Sequence, residues 1–157
     1  MKTSIANIIN DPNLPEGIAW KQRLFHANEI IVHRGDVGKS FFFVEKGQLR
    51  VTVHVEVEER RKIQAGINDL EEGDFFGEVS LFESRIRTAS VTALTDGRLL
   101  EFDGAMLSAY LDKNPIQGYL FFKCLFASLI IRMTSGIQKI ESLMAWGLKA
   151  HGIARHL

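Results

Sequence analysis

Apolar and polar side chains alternate most clearly in "LRVTVHVEV", with Leu49, Val51, Val53, Val55 and Val57 on one side and Arg50, Thr52, His54 and Glu56 on the other. A period of two marks a half-buried antiparallel strand. Shorter segments of the same kind surround it: "EIIVH", "SFFFVEKG", "RKIQAGI", "ASVTAL" and "RLLEF". Glycine and aspartate punctuate them at Arg34-Gly35-Asp36, Gly38, Gly47, Gly73-Asp74 and Asp96-Gly97. Many short strands at regular spacing predict a sandwich or barrel of the jelly-roll kind. The expected fold class is mainly β with flanking α-helices.

The period changes after Pro115. Phe122, Leu125, Leu129, Met133, Ile137, Ile140 and Met144 recur at steps of three and four, which makes one helical stripe. Phe121, Ile130 and Ile131 give the first half of that helix a second apolar face. The barrel can bury one face; the economical cover for the other is the same helix of a second copy, so a homodimer through the helix after Pro115 is expected. Asn114 is expected to cap it, with proline at the first helical position. Gly136 and Gly147 weaken the helix and leave its end open, with "GLKAHGIARHL" as a short cap or frayed tail. At the front, Ile5, Ile8 and Ile9 predict a brief amphipathic helix, and "LPEGIAWKQRLF" reads as a second short one. The whole chain, 1–157, is expected to form a single domain, about 20–103 the β-barrel and about 104–157 the C-terminal helices.

Composition narrows the function. Lys+Arg 19 balance Asp+Glu 19, so no overall positive field is present to hold nucleic acid, and direct nucleic-acid binding is not expected. Any anion must be held locally. The single cysteine, Cys124, forms no intrachain disulfide and reads as a buried thiol without chemistry. The start, MKTSIANIIN, is too weak for a secretory signal, and the cytoplasm is the default. The longest apolar run, Tyr119 to Ile131, carries Lys123 and falls short of the roughly 20 residues that a bilayer core needs, so no membrane is expected. His26, His33, His54, His151 and His156 show no close metal spacing, and no metal site is expected. No serine stands in a context suggesting a nucleophile, although triads are spatial and spacing does not decide them.

One stretch carries chemistry: "FFGEVSLFESRIRTASV", residues 75–91. Gly77 lets backbone approach a ligand closely. Glu78-Val79-Ser80-Leu81-Phe82 has room for about one helical turn, whose first N–H groups form an anion site. Arg87 adds a planar fork of donors suited to two oxygens of one phosphate. Glu78 would repel that phosphate if it faced it, so its carboxylate must accept from something neutral, such as a sugar hydroxyl. A phosphate beside a ribose hydroxyl means a nucleotide. The bland alternative, a surface salt bridge between Glu78 and Arg87, would contribute only about 0–1 kcal/mol. Arg85 reads as solvated, "EERRK" (58–62) as a hairpin tip, and "RGD" (34–36) as a tight turn.

The pattern "FGEVSLF…RTASV" resembles the phosphate-binding cassette of the cyclic nucleotide-binding domain family, and "RGDVGKSFFFVEKGQLRV" and "EEGDFFGE" resemble the strands leading to it. The resemblance covers most of residues 20–140. One departure is Ile86, where many members have proline. The resemblance implies a receptor for cyclic AMP or cyclic GMP without cofactor or enzymatic activity. Glu78 would accept the ribose 2′-hydroxyl and Arg87 would pair with the exocyclic phosphate oxygens. Backbone N–H groups near Ser80 and Ala89 and the Thr88 hydroxyl would complete the cradle, with Gly77 and Val79 lining the ribose side. A hydroxyl at Thr88 is compatible with either base, and the reading favours cyclic AMP. The helices from Asp103 onward resemble hinge and lid helices that signal by moving, to an effector the sequence does not name. Two rivals are a transcription regulator whose DNA-binding part lies elsewhere, and a degenerate barrel used only for dimerisation or docking.

Overall fold

The computed structural model describes residues 1–58 and 61–150, and the side chains of 54–58, 61–65 and 148–150 are outside the description. The chain forms two compact units, residues 1–118 and 119–157. The first opens with helix α1 (Lys2–Ile9), whose Ile5 and Ile8 are buried as their spacing predicts. Strands β1 (Trp20–Phe25), β2 (Ile30–Val32), β3 (Val37–Gly38), β4 (Ser40–Lys46), β5 (Leu49–Glu58) and β6 (Arg61–Leu70) follow. Then come β7 (Phe75–Phe76), a 3₁₀ helix (Glu78–Leu81), β8 (Arg85–Ile86), β9 (Ser90–Ala93), β10 (Gly97–Asp103) and helix α2 (Gly104–Lys113).

The strands form two four-stranded antiparallel sheets, ordered β1-β10-β4-β7 and β2-β9-β5-β6, with β3 and β8 paired separately. Phe25, Phe42, Val44, Phe76 and Leu99 of the first sheet share one buried cluster with Ile31, Leu49, Leu70, Val91 and Ala93 of the second. The sheets therefore pack face to face, in the mainly β architecture with flanking helices that the pattern predicts. The first sheet is buried on its other face too: Phe41 stacks on Phe75 at 5.8 Å between ring centroids and meets Phe102 at 6.0 Å. That double burial is why "FFFV" is a continuous apolar run and not an alternating one. Helix α2 packs on β10 and the 3₁₀ helix. Its Asp103 caps it through Oδ1, which accepts from the Met106 N–H at 2.9 Å. Tyr110 of α2 donates its hydroxyl to Asp11 Oδ2 at 2.6 Å, fastening the segment after α1.

Four expectations are corrected. Trp20–Phe25, read as helical within "LPEGIAWKQRLF", is strand β1, paired to β10 from Trp20↔Phe102 to Phe25↔Gly97. The alternation of β5 breaks at Thr52, which is buried: Ile67 is an extra residue in β6, between the partners of Val51 (Asn68) and Thr52 (Gly66). A bulge of this kind re-aims the strand. At Asn114 the side-chain Nδ2 reaches back to the Tyr110 carbonyl at 2.9 Å, serving the end of α2, while its backbone carbonyl accepts from the Gly118 N–H. Cys124 is half-buried.

Helix α3 (Pro115–Ala150) runs through Gly136 and Gly147 without interruption. In the second unit Phe121 and Leu125 are buried, whereas Ile131 (70% exposed), Ile137 (50%), Met144 (65%) and Trp146 (71%) present apolar surface. The stretch Pro115–Gly147 is long and apolar enough to cross a membrane by length and composition, with a mean hydropathy of 1.6 over its best window. The apolar run from Tyr119 to Ile131, which already includes Lys123, is shorter because it stops at Arg132, whereas the helix begins at Pro115 and continues past that arginine. The reading of "EERRK" falls partly on residues 59 and 60, and His151, His156 and the tail after Ala150 likewise lie outside the described residues.

Candidate functional site

Arg87 is fixed at its base. Its N–H donates to the Asp36 carbonyl at 2.8 Å, and its carbonyl accepts from the Gly35 N–H at 2.9 Å. Gly35 sits at φ +96°, so the "RGD" turn is the part that holds the arginine's main chain. The side chain then passes between two glycines. A Cβ at Gly38 would lie 2.5 Å from Nε and 2.7 Å from Cζ, and one at Gly77 would lie 2.7 Å from Nη1. The far end is held by Nη2, which donates to the Ser40 carbonyl at 2.7 Å, and Cζ lies 5.7 Å from the centre of the Phe42 ring.

Among the described residues, this guanidinium makes no ion pair; its hydrogen-bond acceptor is a neutral carbonyl. Burial pulls its pKa below the ordinary arginine value, and the carboxylates of Glu78, Glu101 and Asp36, acting at longer range, oppose that. It stays a cation at any physiological pH. A half-buried cation whose contact is neutral attracts an anion strongly, since charge-assisted hydrogen bonds are about twice as strong as neutral ones. Glu101 is itself engaged, accepting from Ser40 Oγ at 3.0 Å and pairing with Lys21 at 3.4 Å.

Beside the arginine the chain turns at Gly77, φ +79°, a conformation that side chains other than glycine's resist. The 3₁₀ helix starts there. Both the N–H and the Oγ of Ser80 donate to the Gly77 carbonyl, at 3.0 and 2.8 Å. This is the first bond of the turn, so the amides of Glu78 and Val79 precede it and have no acceptor within the turn. Glu78 is half-buried on the same turn as Gly77, Val79 is exposed, and Ser80 is buried. Thr88, exposed, and Ala89, half-buried, lead from Arg87 into β9. Arg85 pairs with Glu83 at 2.6 Å on the surface. The structure thus gathers Arg87, Gly77 and Glu78 into one neighbourhood.

The sequence marks Gly38 and the Gly35–Asp36 turn as punctuation, but it does not link either of them to Arg87, and the Ser40 carbonyl went unread. Ser40 acts through its main chain, which no side-chain pattern encodes.

The turn also touches the next element. Gly104, the first residue of α2, donates its N–H to the Lys39 carbonyl at 2.8 Å. A Cβ on Gly104 would run into the Ser80 carbonyl and stand 2.6 Å from Ser80 Oγ. A cavity of about 350 Å³ lies alongside, lined by Lys39, Phe82, Ser84, Asp103, Ser108 and Asp112 among others. No group of three His, Cys, Asp or Glu side chains among the described residues could hold a metal ion.

Residues 22–114 match the model of the cyclic nucleotide-binding domain. The chain belongs to that family. Within the family, it is 35% identical over 98 residues to a cGMP-dependent protein kinase of Caenorhabditis briggsae, a match spanning 61% of this chain and 13% of the kinase. It is 30% identical over 80 residues to the regulatory subunit of the cAMP-dependent protein kinase of Schizosaccharomyces pombe, spanning 51% of this chain and 18% of that subunit. The chain thus corresponds to under a quarter of the length of these cyclic nucleotide-binding relatives. Among solved structures, the c-di-GMP responsive global regulator CLP of Xanthomonas campestris superposes with a TM-score of 0.76 at 17% identity, covering 92% of this chain and 65% of that one. At that identity, the likeness concerns the fold.

Proposed function

We propose that this cyclic nucleotide-binding domain is a receptor for a cyclic mononucleotide, cyclic AMP or cyclic GMP, and catalyses no reaction itself. The observation that carries the reading is the Arg87 guanidinium, held in a glycine-walled slot with a neutral partner beside the Gly77 turn. A cyclic phosphate supplies the missing anion. The Glu78 carboxylate, on the same turn, accepts from a ribose hydroxyl. The names of the cGMP-dependent kinase and of the cAMP-dependent kinase's regulatory subunit support a cyclic purine mononucleotide of either base. Occupancy is passed on by α2, because Gly104 abuts Ser80 and any shift of the turn must be met by the start of that helix.

The exposed stripe of α3 is covered by the same helix of a second copy, making a cytoplasmic homodimer. Arg132, Lys139 and Glu141 recur along that helix and favour a wet, protein-covered environment over lipid. The regulated effector would lie on another protein, or in sequence beyond this chain.

A melting scan with cyclic AMP, cyclic GMP and cyclic di-GMP tests the reading. At free ligand about a hundredfold above Kd, binding adds roughly 2.7 kcal/mol, which raises the melting temperature of a domain this size by about 5–10 °C. The expected result is such a rise with cyclic AMP or cyclic GMP, lost in Arg87→Glu. No rise with either mononucleotide would favour a docking role for the fold, and a rise with cyclic di-GMP alone would reassign the ligand.

A further inference from the structure

We propose that Gly38 is a positioning residue of the anion site: the space its absent side chain leaves is where the Arg87 guanidinium lies, so this glycine sets the direction of the cation. The inference rests on the reading of Arg87 as the phosphate-binding group.

The glycines near the site differ in what they are for. Gly77 and Gly35 have positive φ, so backbone conformation alone explains them. Gly38 does not have positive φ and lies in regular β pairing, with Gly38↔Arg85 in register. Nothing in its backbone requires glycine, and the requirement is therefore one of space. A Cβ at Gly77 would first meet the backbone carbonyl of Ser40, at 2.5 Å, and one at Gly97 would meet the carbonyl of Lys46. At Gly38 the three nearest atoms all belong to Arg87: Nε at 2.5 Å, Cζ at 2.7 Å and Cδ at 2.9 Å.

The consequences of substitution separate on that difference. Backbone does not yield easily, whereas an arginine side chain has several torsions by which to swing away. Alanine at 38 therefore leaves the sheet in place and displaces the guanidinium. The displaced group loses the Ser40 carbonyl and the register between the two glycines. The main chain of Arg87, bonded to Gly35 and Asp36, stays where it is.

A natural control exists elsewhere in the molecule. Gly66 of β6 also lies beneath an arginine, its Cβ position 3.0 Å from Arg50 Cδ, and also lacks positive φ. Arg50, however, pairs with Asp69 at 2.7 Å on the surface, as part of the β5–β6 pair and not of the Arg87 slot.

The experiment compares the full chain with Gly38→Ala, Gly38→Val and Gly66→Ala by calorimetric titration with cyclic AMP and cyclic GMP. It also follows the Arg87 Nε–Hε resonance, assigned by its loss in Arg87→Lys. Gly38→Ala is expected to weaken binding about tenfold or more, the loss of one charge-assisted contact, with Gly38→Val weaker still and Gly66→Ala unchanged. The loss should be the same for both nucleotides, which share phosphate and ribose, and the melting temperature without ligand should stay near the parent's. The Arg87 resonance should move in Gly38→Ala and stay in Gly66→Ala. Affinities of both Gly38 variants within about twofold of the parent, or an unmoved Arg87 resonance, would overturn the inference. A parent that binds neither nucleotide would sink the receptor reading, while the resonance would still decide the role of Gly38. Should Gly38→Ala fail to fold, adding Arg87→Ala must restore folding, and persistent failure would count against the proposal.

Discussion

At the scale of residues, the site depends as much on missing side chains as on present ones. Gly77→Ala would strain a left-handed position and press Cβ against the Ser40 carbonyl. A loss of about 1–3 kcal/mol is expected, read as a lower denaturation midpoint, together with loss of the ligand-induced melting shift. A second residue-scale prediction concerns Tyr110. Burial, with the hydrogen bond to Asp11 second, pushes its phenol up to about 12. Unfolded tyrosine ionises near 10, so this contribution is complete below pH 10 and is lost as pH rises towards 12. Asp11 is shifted the other way, chiefly by the Tyr110 hydroxyl, so its contribution is present above the ordinary aspartate range and fades in acid. Tyr110→Phe should therefore flatten the decline of melting temperature between pH 10 and 12; an unaltered decline would show that Tyr110 does not govern it. What the sequence made legible at this scale was the set of groups that act by their side chains, Arg87 and Glu78, and the turn glycine 77. Gly38 acts by leaving space and Ser40 by its carbonyl, and neither has a distinguishing letter pattern.

At the scale of elements, α2 is held by its first two residues. Asp103→Ala removes the cap and is expected to cost about 1 kcal/mol, seen in thermal or urea unfolding. Gly104→Ala should do more, because its Cβ enters the space of Ser80: we expect a loss of about 1–3 kcal/mol and weaker nucleotide binding, since the turn carrying Glu78 must give way. Unchanged binding in a stable Gly104→Ala protein would separate α2 from the cassette. Strands with alternation or a dense apolar core were readable. β1 was not, since in "WKQRLF" only Phe25 is buried and Leu24 is 72% exposed, which leaves no clean period of two. Thr52 was misplaced because a bulge in the neighbouring strand shifts register without any mark in β5 itself. Asn114 suits either helix end by composition, and only packing decides which backbone groups its side chain reaches.

At the scale of the whole molecule, α3 leaves Ile137, Ile140, Leu143, Met144 and Trp146 each at least 50% exposed, an apolar surface of the kind that marks an interaction site. Ile137→Glu with Ile140→Glu is expected to convert a dimer into a monomer in light scattering while leaving the spectrum of the β-sheets intact; a parent that is already monomeric without detergent would refute the pairing. The β unit has its own collective property, which comes from three residues of β4. Phe41 belongs to the aromatic cluster on the outer face of the first sheet, Phe42 and Val44 to the cluster between the sheets, and the Phe42 ring also lies beneath Arg87. Neither cluster can open while this strand stays intact, so the amide protons of Phe42–Val44 should exchange with deuterium only when the domain unfolds as a unit. Saturating nucleotide would then slow their exchange by the same factor as it shifts the unfolding equilibrium, making that strand an internal gauge of occupancy.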